Sequence, residues 1–517
     1  MSIPAVESEQ QSVSQMKKTF PVVNPATLEK IADVPVVEPD EVKIAVAKGR
    51  DTFESWRELS FRERAQILVA VRDRVLDQEK EIIDTIVAET GKTRTEALSA
   101  EIMYVCAAIE YYTKNAEEFL RDRVHPIGLV LLKTKRVRTS HLPRGVVGII
   151  APWNFPLLMT LGESIPALMA GNAVVIKPSE FTPLSALLGQ RLAEQSGLPK
   201  NLLQVVTGFG ETGEALIDYA DQIAFTGSVA TGKRVMARAA NTLKPVTLEL
   251  GGKDPMIVLR DANLERAANG AVWGALSNSG QICMSVERVY VEEPIAEAFI
   301  ARVVEKVKGL RQGIDTHFNV DVGSMTMSRQ LEIVEDHVAD AVAKGARILA
   351  GGKRNPNLSG LFYEPTVLVD VDHSMKIMTE ETFGPIIPIM RAKDAPEALR
   401  LANESRYGLN SSIWTRDRSR ARTLARRMES GSVCINDCLV NYLATEVPFG
   451  GVKESGIGFR HGEGGIQKYC FVQSVLEDRI GLRREINWYP YSKNFATLLS
   501  RALKVLYHSR WLRKFRP

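Results

Sequence analysis

The chain has 517 residues, of which 45% are apolar and 25% charged, and this composition is that of a folded globular protein. Its length predicts roughly two to four domains. The net charge of +4 is too small to indicate a nucleic-acid partner, and we expect none. The charge is uneven, because residues 481–517 carry nine Lys or Arg and one Glu, so the rest of the chain is mildly acidic.

The five cysteines are odd in number and sparse for this length, which argues against a disulfide framework and for a reducing compartment. Cys434 and Cys438 have a Cys-x3-Cys spacing, but no second pair accompanies them, so we expect buried thiols and no metal site. We expect a flexible N-terminus over 1–19 that is not a secretory signal, since it has no apolar core. No stretch approaches the roughly 18 to 20 apolar residues of a membrane helix. These features predict a cytoplasmic protein.

The first half of the chain changes its hydrophobic period twice. Residues 38–120 combine helical apolar spacing with charge, as at Leu68 and Val71, and predict surface helices. Residues 129–142 alternate and are rich in β-formers, which predicts an extended hairpin. Short apolar runs then alternate with helical stretches, which is typical of a parallel, doubly wound sheet. Four such runs are 146–150, 173–176, 203–206 and 222–226.

Two glycine loops could bind a nucleotide. Residues 208–213 match G-x-G-x-x-G between a strand and a helix, but no acidic residue closes a strand about 20 positions later, and an ordinary turn explains them equally well. The loop 225–232 also joins a strand to a helix. Its backbone N–H groups and the Ser228 hydroxyl would face a pyrophosphate at a helix N-terminus, so we prefer this loop.

A glutamate and a cysteine lie in two further glycine-marked turns. Glu249 ends a short apolar strand in Glu-Leu-Gly-Gly, and Cys283 ends the motif Gly-Gln-Ile-Cys. A thiol can add to a carbonyl carbon, and a carboxylate can activate the water that cleaves the resulting thioester. Three other motifs accompany them: Ala-Pro-Trp-Asn-Phe-Pro at 151–156, Glu-Thr-Phe-Gly-Pro at 381–385 and Pro-Phe-Gly-Gly-Val-Lys-Glu-Ser-Gly at 448–456.

Together these motifs resemble the aldehyde dehydrogenase superfamily over roughly residues 20–482. The resemblance implies that the Cys283 thiolate attacks an aldehyde and that Glu249 activates the water that hydrolyses the thioester. The Asn154 amide and the Cys283 backbone N–H would form the oxyanion hole. A free thiol has a pKa near ~8.5, so we expect the site to lower it. Because relatives that pass the thioester to coenzyme A usually lack the glutamate, we expect a free acid as product.

The resemblance also implies NAD as the cofactor. Lys177 and Glu180 would bind the adenosine ribose, and the carboxylate would repel a 2′-phosphate, which favours NAD over NADP. Glu381 would hold the nicotinamide ribose, and Phe383 would back the ring. The full implied set is Trp153, Lys177, Glu180, Gly227, Ser228, Gly232, Glu381 and Phe383. The chain departs from the family pattern at 459–461, where an Arg-Glu pair is common, and we assign His461 no chemical role.

The implied substrate channel is mostly apolar. It consists of Phe155, Leu158, Gly162, Ile282, Met284, Leu443 and Phe449. This lining favours a medium- or long-chain, terpenoid or aromatic aldehyde. Semialdehyde-specific relatives place an arginine where Gly162 stands, so a succinate-semialdehyde dehydrogenase is the weaker alternative. A catalytically silent binding protein on the same fold is a second alternative, which the intact set of Cys283, Glu249 and Asn154 disfavours.

The predicted architecture is α/β. The resemblance implies a Rossmann-like NAD-binding domain, an α/β catalytic domain and a small β domain that forms a homodimer or homotetramer. The corresponding ranges are 20–124 with 144–251, then 252–452, and 125–143 with 453–480.

Residues 481–517 form a basic amphipathic tail. Its apolar side chains recur at helical spacing, at Phe495, Leu498, Leu499, Ala502 and Leu506. Basic and further apolar residues surround them: Lys493, Arg501, Lys504, Arg510, Trp511, Leu512 and Phe515. Such a pattern fits a membrane surface contacted through 493–517, and we lean to peripheral attachment at the inner face of a membrane. Packing on a neighbouring subunit fits the same pattern.

Overall fold

The computed structural model describes residues 18–129, 132–485 and 487–508. The chain forms two compact units. The first consists of the chain up to Arg121 together with His141–Phe471, and the second of Asp122–Ser140 together with the chain from Val472.

The strands, in chain order, are β1 (Thr19–Val23), β2 (Lys30–Pro35), β3 (Arg123–His125), β4 (Lys135–Pro143), β5 (Val146–Ile150), β6 (Ala173–Lys177), β7 (Leu203–Val205), β8 (Gln222–Thr226), β9 (Val246–Glu249), β10 (Asp254–Val258), β11 (Val286–Glu292), β12 (Arg347–Ala350), β13 (Thr366–Val369), β14 (Ile386–Ala392), β15 (Ser412–Trp414), β16 (Cys434–Ile435), β17 (Gly456–Ile457) and β18 (Cys470–Asp478).

The α-helices are α1 (Pro39–Trp56), α2 (Phe61–Asp77), α3 (Glu79–Thr90), α4 (Arg94–Glu96), α5 (Met103–Leu120), α6 (Glu163–Met169), α7 (Leu184–Gln195), α8 (Gly210–Tyr219), α9 (Val229–Ala240), α10 (Leu264–Leu276), α11 (Ala296–Lys308), α12 (Ser328–Ala343), α13 (Lys376–Thr379), α14 (Ala395–Asn403), α15 (Arg418–Ala425), α16 (Gly462–Gln467) and α17 (Lys493–His508). Two π-helical turns, Ala97–Ile102 and Leu158–Gly162, precede α5 and α6.

The first sheet of the large unit has the strand order β17-β9-β8-β5-β6-β7. Strands β5 to β9 are parallel, and β17 adds an antiparallel edge next to β9. The central strands β6 and β8 are buried along their whole length, which explains why they appear in the sequence as continuous apolar runs. The four predicted runs form β5, β6, β7 and β8, so this part of the sequence prediction is confirmed.

The second sheet has the order β12-β13-β14-β11-β10-β15-β16 and is parallel except for β12. The predicted α/β class is therefore confirmed. The helices expected over 38–120 are α1 to α5, and Leu68 and Val71 lie on the buried face of α2. Among the described helices none is both long and apolar enough to cross a membrane.

The small unit is an antiparallel sheet in the order β18-β4-β3. Its hairpin of β3 and β4 pairs Arg123 with Thr139, so it begins earlier than the predicted 129–142. Within this unit Lys135 Nζ lies 2.7 Å from Asp478 Oδ1, which joins β4 to β18. Helix α17 also belongs to it. That this unit mediates oligomerisation stays a prediction.

One predicted boundary is wrong. The family resemblance places 453–480 in the oligomerisation region, but residues up to Phe471 belong to the large unit. The reason is that Gly456 pairs with Glu249 in the first sheet and that α16 packs against α5 and α6. The last segment of the candidate site is therefore built into the large unit.

Candidate active site

Cys283, Asn154 and Glu249 lie together in the large unit. All three line a cavity of about 260 Å³ near the ends of β5, β8 and β9. Cys283 also lines a second cavity of about 270 Å³. The thiol therefore borders both spaces. The first, called the polar cavity, contains the carboxyl groups of Glu249 and Glu381 among apolar walls, and the second, called the apolar cavity, has almost wholly apolar walls.

The turn after β5 places Asn154 against the cysteine loop. The Asn154 Nδ2 donates to the backbone carbonyl of Gln281 at 2.9 Å, and the backbone carbonyl of Asn154 accepts from Asn278 Nδ2 at 3.1 Å. An amide nitrogen carries two N–H groups, so one remains for another acceptor. The Asn154 amide is therefore held against the backbone two positions before Cys283, and its second N–H can donate to an oxygen in the cavity.

A buried ion pair that sequence reasoning missed holds the same turn from behind. Lys92 Nζ lies 2.6 Å from Glu101 Oε1, and neither side chain is exposed. The ammonium also donates to the Asn154 carbonyl at 2.7 Å and lies 4.0 Å from the centre of the Phe155 ring. Glu101 Oε2 accepts from the backbone N–H of Leu157 at 2.8 Å. In the sequence both residues look like ordinary charges of a surface helix.

The loop before Cys283 has an unusual backbone. Asn278 and Ser279 have φ values of 51° and 54°, in the left-handed region that costs a non-glycine residue energy. Gly280 follows at φ +72°, and a Cβ there would lie 2.0 Å from the Gly384 carbonyl oxygen. The loop can pass the Glu-Thr-Phe-Gly-Pro motif this closely only because residue 280 is glycine.

Glu249 is buried at the end of β9, and its Oε1 finds no hydrogen-bond partner among the described residues. Loss of water raises the pKa of this carboxyl to about 7, against the opposing effect of the Arg460 and Lys468 charges. A carboxyl with this pKa can exchange a proton near neutral pH.

The expected fall in the pKa of Cys283 is wrong for the chain alone. Burial and the nearby carboxylates of Glu249, Asp254 and Glu381 raise the pKa of the thiol well above its usual value. Burial disfavours the charged form, and three anions oppose a fourth. The protein by itself therefore keeps this thiol protonated.

Several of the predicted cofactor residues line the polar cavity, namely Trp153, Gly227, Ser228, Glu381 and Phe383. Ser228 caps α9 and accepts from the Thr231 N–H at 3.3 Å. Glu381 Oε1 accepts from the Gly252 N–H at 3.1 Å, and burial raises the pKa of its carboxyl to about 8. The rings of Trp153 and Phe383 meet edge to face, with centroids 5.3 Å apart.

The other cofactor candidates lie further out or serve packing. Lys177 Nζ lies 3.2 Å from Glu180 Oε2 just after β6. Gly232 is buried in α9, where a Cβ would lie 2.5 Å from Leu250, so its role in the fold is close packing. The other glycine loop, at 208–213, leads into α8, which begins at Gly210.

The apolar cavity contains five of the seven predicted channel residues: Phe155, Leu158, Ile282, Met284 and Leu443. Gly162 and Phe449 are not among the residues that line it. A Cβ on Gly162 would lie 2.9 Å from the Tyr104 ring, and Phe449 is buried against Tyr442 at a centroid distance of 4.9 Å. Further lining residues that the sequence did not indicate are Glu96, Ser99, Ala100, Met103, Met159, Trp273, Ser277, Asn278, Leu439, Val440 and Tyr442.

The stretch at 459–461 contains a second missed ion pair. Arg460 Nε lies 3.1 Å from Glu163 Oε2, and each side chain is only 4% exposed. His461 Nε2 lies 2.8 Å from the Tyr104 hydroxyl. Burial lowers the pKa of this ring to about 3, so it is neutral. The departure from the family pattern was the one sequence signal that pointed here.

Comparison with known proteins agrees with these motifs. The profile described as "Aldehyde dehydrogenase family" matches residues 12–475. A 4,4'-diapolycopene aldehyde oxidase of Methylomonas sp is 42% identical over 476 residues, which cover 92% of this chain and 88% of that protein. A provisionally named succinate-semialdehyde dehydrogenase (NADP(+)) of Mycolicibacterium smegmatis is 38% identical over 466 residues, 90% of each chain.

Solved structures give the same result. The NAD+ complex of an aldehyde dehydrogenase from Bacillus cereus is 35% identical and superposes with a TM-score of 0.85 over 89% of this chain and 93% of that one. A structure described as an E. coli NADP dependent enzyme is 34% identical with a TM-score of 0.86, over 89% and 95% of the two chains.

The Lys92–Glu101 pair yields a stability prediction. Lys92→Met leaves a buried carboxylate without its cation and should lower the free energy of unfolding by about 3–5 kcal/mol. Lys92→Met combined with Glu101→Gln should recover much of this loss. Chemical denaturation followed by circular dichroism measures both. The matched control is Lys80→Met, which breaks an exposed pair with Asp84 and should cost less than about 0.5 kcal/mol. Equal stability of Lys92→Met and the parent would contradict the role of the pair.

Proposed function

The chain belongs to the aldehyde dehydrogenase family, and on that premise we propose that it oxidises a long apolar aldehyde to the acid with NAD. The observation that carries the substrate class is the apolar cavity of about 270 Å³ beside Cys283. Among the described residues that line it none is a Lys or Arg, and its one carboxyl, Glu96, already accepts from the Asn278 N–H.

In the first half of the reaction Cys283 is the nucleophile. The Cys283 thiol releases its proton to water, and the sulfur attacks the carbon of an aldehyde held in the apolar cavity. The free N–H of the Asn154 amide donates to the aldehyde oxygen as it gains negative charge. NAD, when bound, supplies the acceptor for hydride and a positive charge that opposes the effect of the carboxylates on the thiol. The acyl group stays on the sulfur of Cys283 as a thioester.

In the second half Glu249 is the general base. Its buried carboxylate takes a proton from water, and the water oxygen adds to the thioester carbon. The Cys283 sulfur then leaves and regains a proton. The raised pKa of Glu249 suits this exchange, because a carboxyl with a pKa of about 7 can take a proton and give it back near neutral pH.

The polar cavity and the end of β6 supply the donors and carboxylates that a dinucleotide would use. Ser228 and the N-terminus of α9 supply donors for a phosphate, and Glu381 stands beside Gly251, where a Cβ would lie 2.2 Å from the carboxylate. Lys177 and Glu180 would hold a ribose, and Glu180 would repel a 2′-phosphate. Glu180 makes NAD our preferred cofactor. We do not propose it as the exclusive one, because relatives named for NAD and for NADP both occur.

The alternative substrate is a semialdehyde, which relatives named succinate-semialdehyde dehydrogenase favour. Its distal carboxylate would need a cation, which the described cavity does not offer. An arginine in place of Gly162 would also collide with the Tyr104 ring. The relative named for 4,4'-diapolycopene aldehyde agrees better with an apolar wall.

We also propose that the enzyme is a homodimer or homotetramer and that its tail contacts a membrane surface. Helix α17 has a polar face formed by Lys493, Thr497, Ser500, Arg501 and Lys504. Leu498 and Val505 flank its apolar face and are 62% and 61% exposed. The exposed aromatic side chains of Trp488, Tyr489 and Tyr491 precede it. Arg510, Trp511, Leu512 and Phe515, which the sequence prediction also used, lie outside the described residues.

The mechanism predicts different defects for its two groups. Cys283→Ala should abolish NADH formation with octanal while NAD still binds. Glu249→Gln should preserve a single-turnover burst of NADH but slow steady-state turnover at least 100-fold, since the amide cannot take a proton. Stopped-flow absorbance separates the two phases. Equal loss of burst and turnover in Glu249→Gln would assign that residue another role.

The substrate proposal predicts a preference that follows chain length. The kcat/KM should rise from propanal to decanal by roughly fourfold per methylene, or about 0.8 kcal/mol, until the cavity is filled. Leu443→Arg should reduce oxidation of decanal and increase that of succinate semialdehyde, whereas Leu443→Met should leave the order unchanged. A parent enzyme that prefers succinate semialdehyde would refute the apolar assignment.

The tail prediction compares two equal charge changes on opposite faces of α17. The parent should sediment with vesicles of phosphatidylserine and phosphatidylcholine, and less so at high salt. Leu498→Asp should release it, because it places a charge on the apolar face, whereas Ser500→Asp should weaken binding only slightly. If the parent ignores the vesicles and Leu498→Asp yields smaller oligomers in light scattering, the tail is an assembly element.

A further inference from the structure

Four ionisable groups meet behind the two cavities, three of them buried and Lys468 partly exposed. Glu163 lies at the start of α6, Arg460 precedes α16, and Lys468 follows α16. Glu163 contacts both cations, with Arg460 Nε at 3.1 Å and Lys468 Nζ at 2.8 Å. The charges of all three act on Glu249, which ends β9.

Arg460 connects this cluster to the walls of the site. Its guanidinium donates to the Tyr442 hydroxyl at 2.9 Å and also to the Thr226 hydroxyl. Thr226 lies opposite Glu249 in the register of β8 and β9 and lines the polar cavity, whereas Tyr442 lines the apolar one. A single side chain therefore touches the walls of both cavities.

The charges in the cluster do not balance without Glu249. Glu163 carries one negative charge, while Arg460 and Lys468 carry one positive charge each. An excess positive charge in a buried place is costly unless an anion lies near it. Glu249 is the other carboxyl on which both cations act, and its carboxylate makes the four-group cluster neutral.

We infer that Arg460, Lys468 and Glu163 are positioning residues that hold Glu249 in its carboxylate form, ready to take a proton from water. This inference rests on the proposed role of Glu249 as the base of thioester hydrolysis. The hydrogen bond from Arg460 to Thr226 supports it, because Thr226 is the residue paired with Glu249 across β8 and β9.

The direction of each effect follows from the charges. The base works only when deprotonated, so the hydrolytic rate rises with pH through the pKa of Glu249. Removal of a cation raises this pKa and moves the rise to higher pH. Removal of the Glu163 charge lowers it and moves the rise to lower pH. The other group facing Glu249 is the Cys283 thiol, whose pKa is raised in part by the Glu249 charge.

The test measures the pH dependence of two phases with octanal and NAD. The burst of NADH reports formation of the thioester. When a burst is present, the steady-state rate reports hydrolysis of the thioester. Arg460→Met and Lys468→Met should each move the midpoint of the hydrolytic phase upward by about 1 to 3 pH units. Glu163→Gln should move it downward. Arg460→Lys keeps the charge and should restore the parent midpoint.

A matched control is Arg64→Met, which removes a buried arginine whose charge interactions do not include Glu249. It should leave the midpoint in place. Shifts in the same direction for Arg460→Met and Glu163→Gln, or no shift in either, would overturn the inference. If Arg460→Met fails to fold, Lys468→Met, at a partly exposed residue, and Glu163→Gln still test the inference. Absence of any burst in the parent would instead refute the proposed function.

Discussion

The loops of the site contain buried backbone N–H groups that no strand or helix supplies with an acceptor, and the site depends on other acceptors for them. Two buried glutamates solve this problem, each with a lysine as its counter-ion. Glu101 pairs with Lys92 and accepts from the turn after β5, while Glu287 pairs with Lys253 at 2.6 Å and accepts from two N–H groups of the turn before β14. Loss of either cation would leave an uncompensated charge in the interior. These contacts hold the turns that carry Asn154 and Phe383 in place.

Glu249 and Cys283 differ from these two glutamates, which have both a counter-ion and backbone donors. The carboxylate has an oxygen without a partner among the described residues, and the thiol is surrounded by anions. A polar group left unsatisfied in a low-dielectric interior is expensive, and such expense is usual where a group has to react. The hydrogen bonds of Glu101 and Glu287 hold the turns around the site, while Glu249 and Cys283 themselves stay free to change protonation.

The sequence was sufficient for features that are local or repeated. Buried parallel strands appear as apolar runs, and close turns appear as glycines. The parallel strands of the first sheet and the turns of Glu249 and Cys283 were therefore predicted in position, whereas the edge strand β17 was assigned to another region. The ion pairs were not predictable, because Lys92 and Glu101 look like surface charges and Glu163 is far from Arg460 in sequence. Packing also decided against Gly162 as a wall of the cavity, since Tyr104 occupies the space where its side chain would extend.

The protonated state of the cysteines has a consequence for survival under oxidative stress. Peroxides react with thiolates and hardly with thiols, so susceptibility follows the thiolate fraction. All five cysteines lie in the described residues and all have raised pKa values, with Cys434 at about 11 and Cys470 at about 12. The resting chain therefore offers almost no thiolate to hydrogen peroxide. Damage to Cys283 would be concentrated in the interval in which the cofactor has activated the sulfur and no aldehyde has yet arrived to consume it.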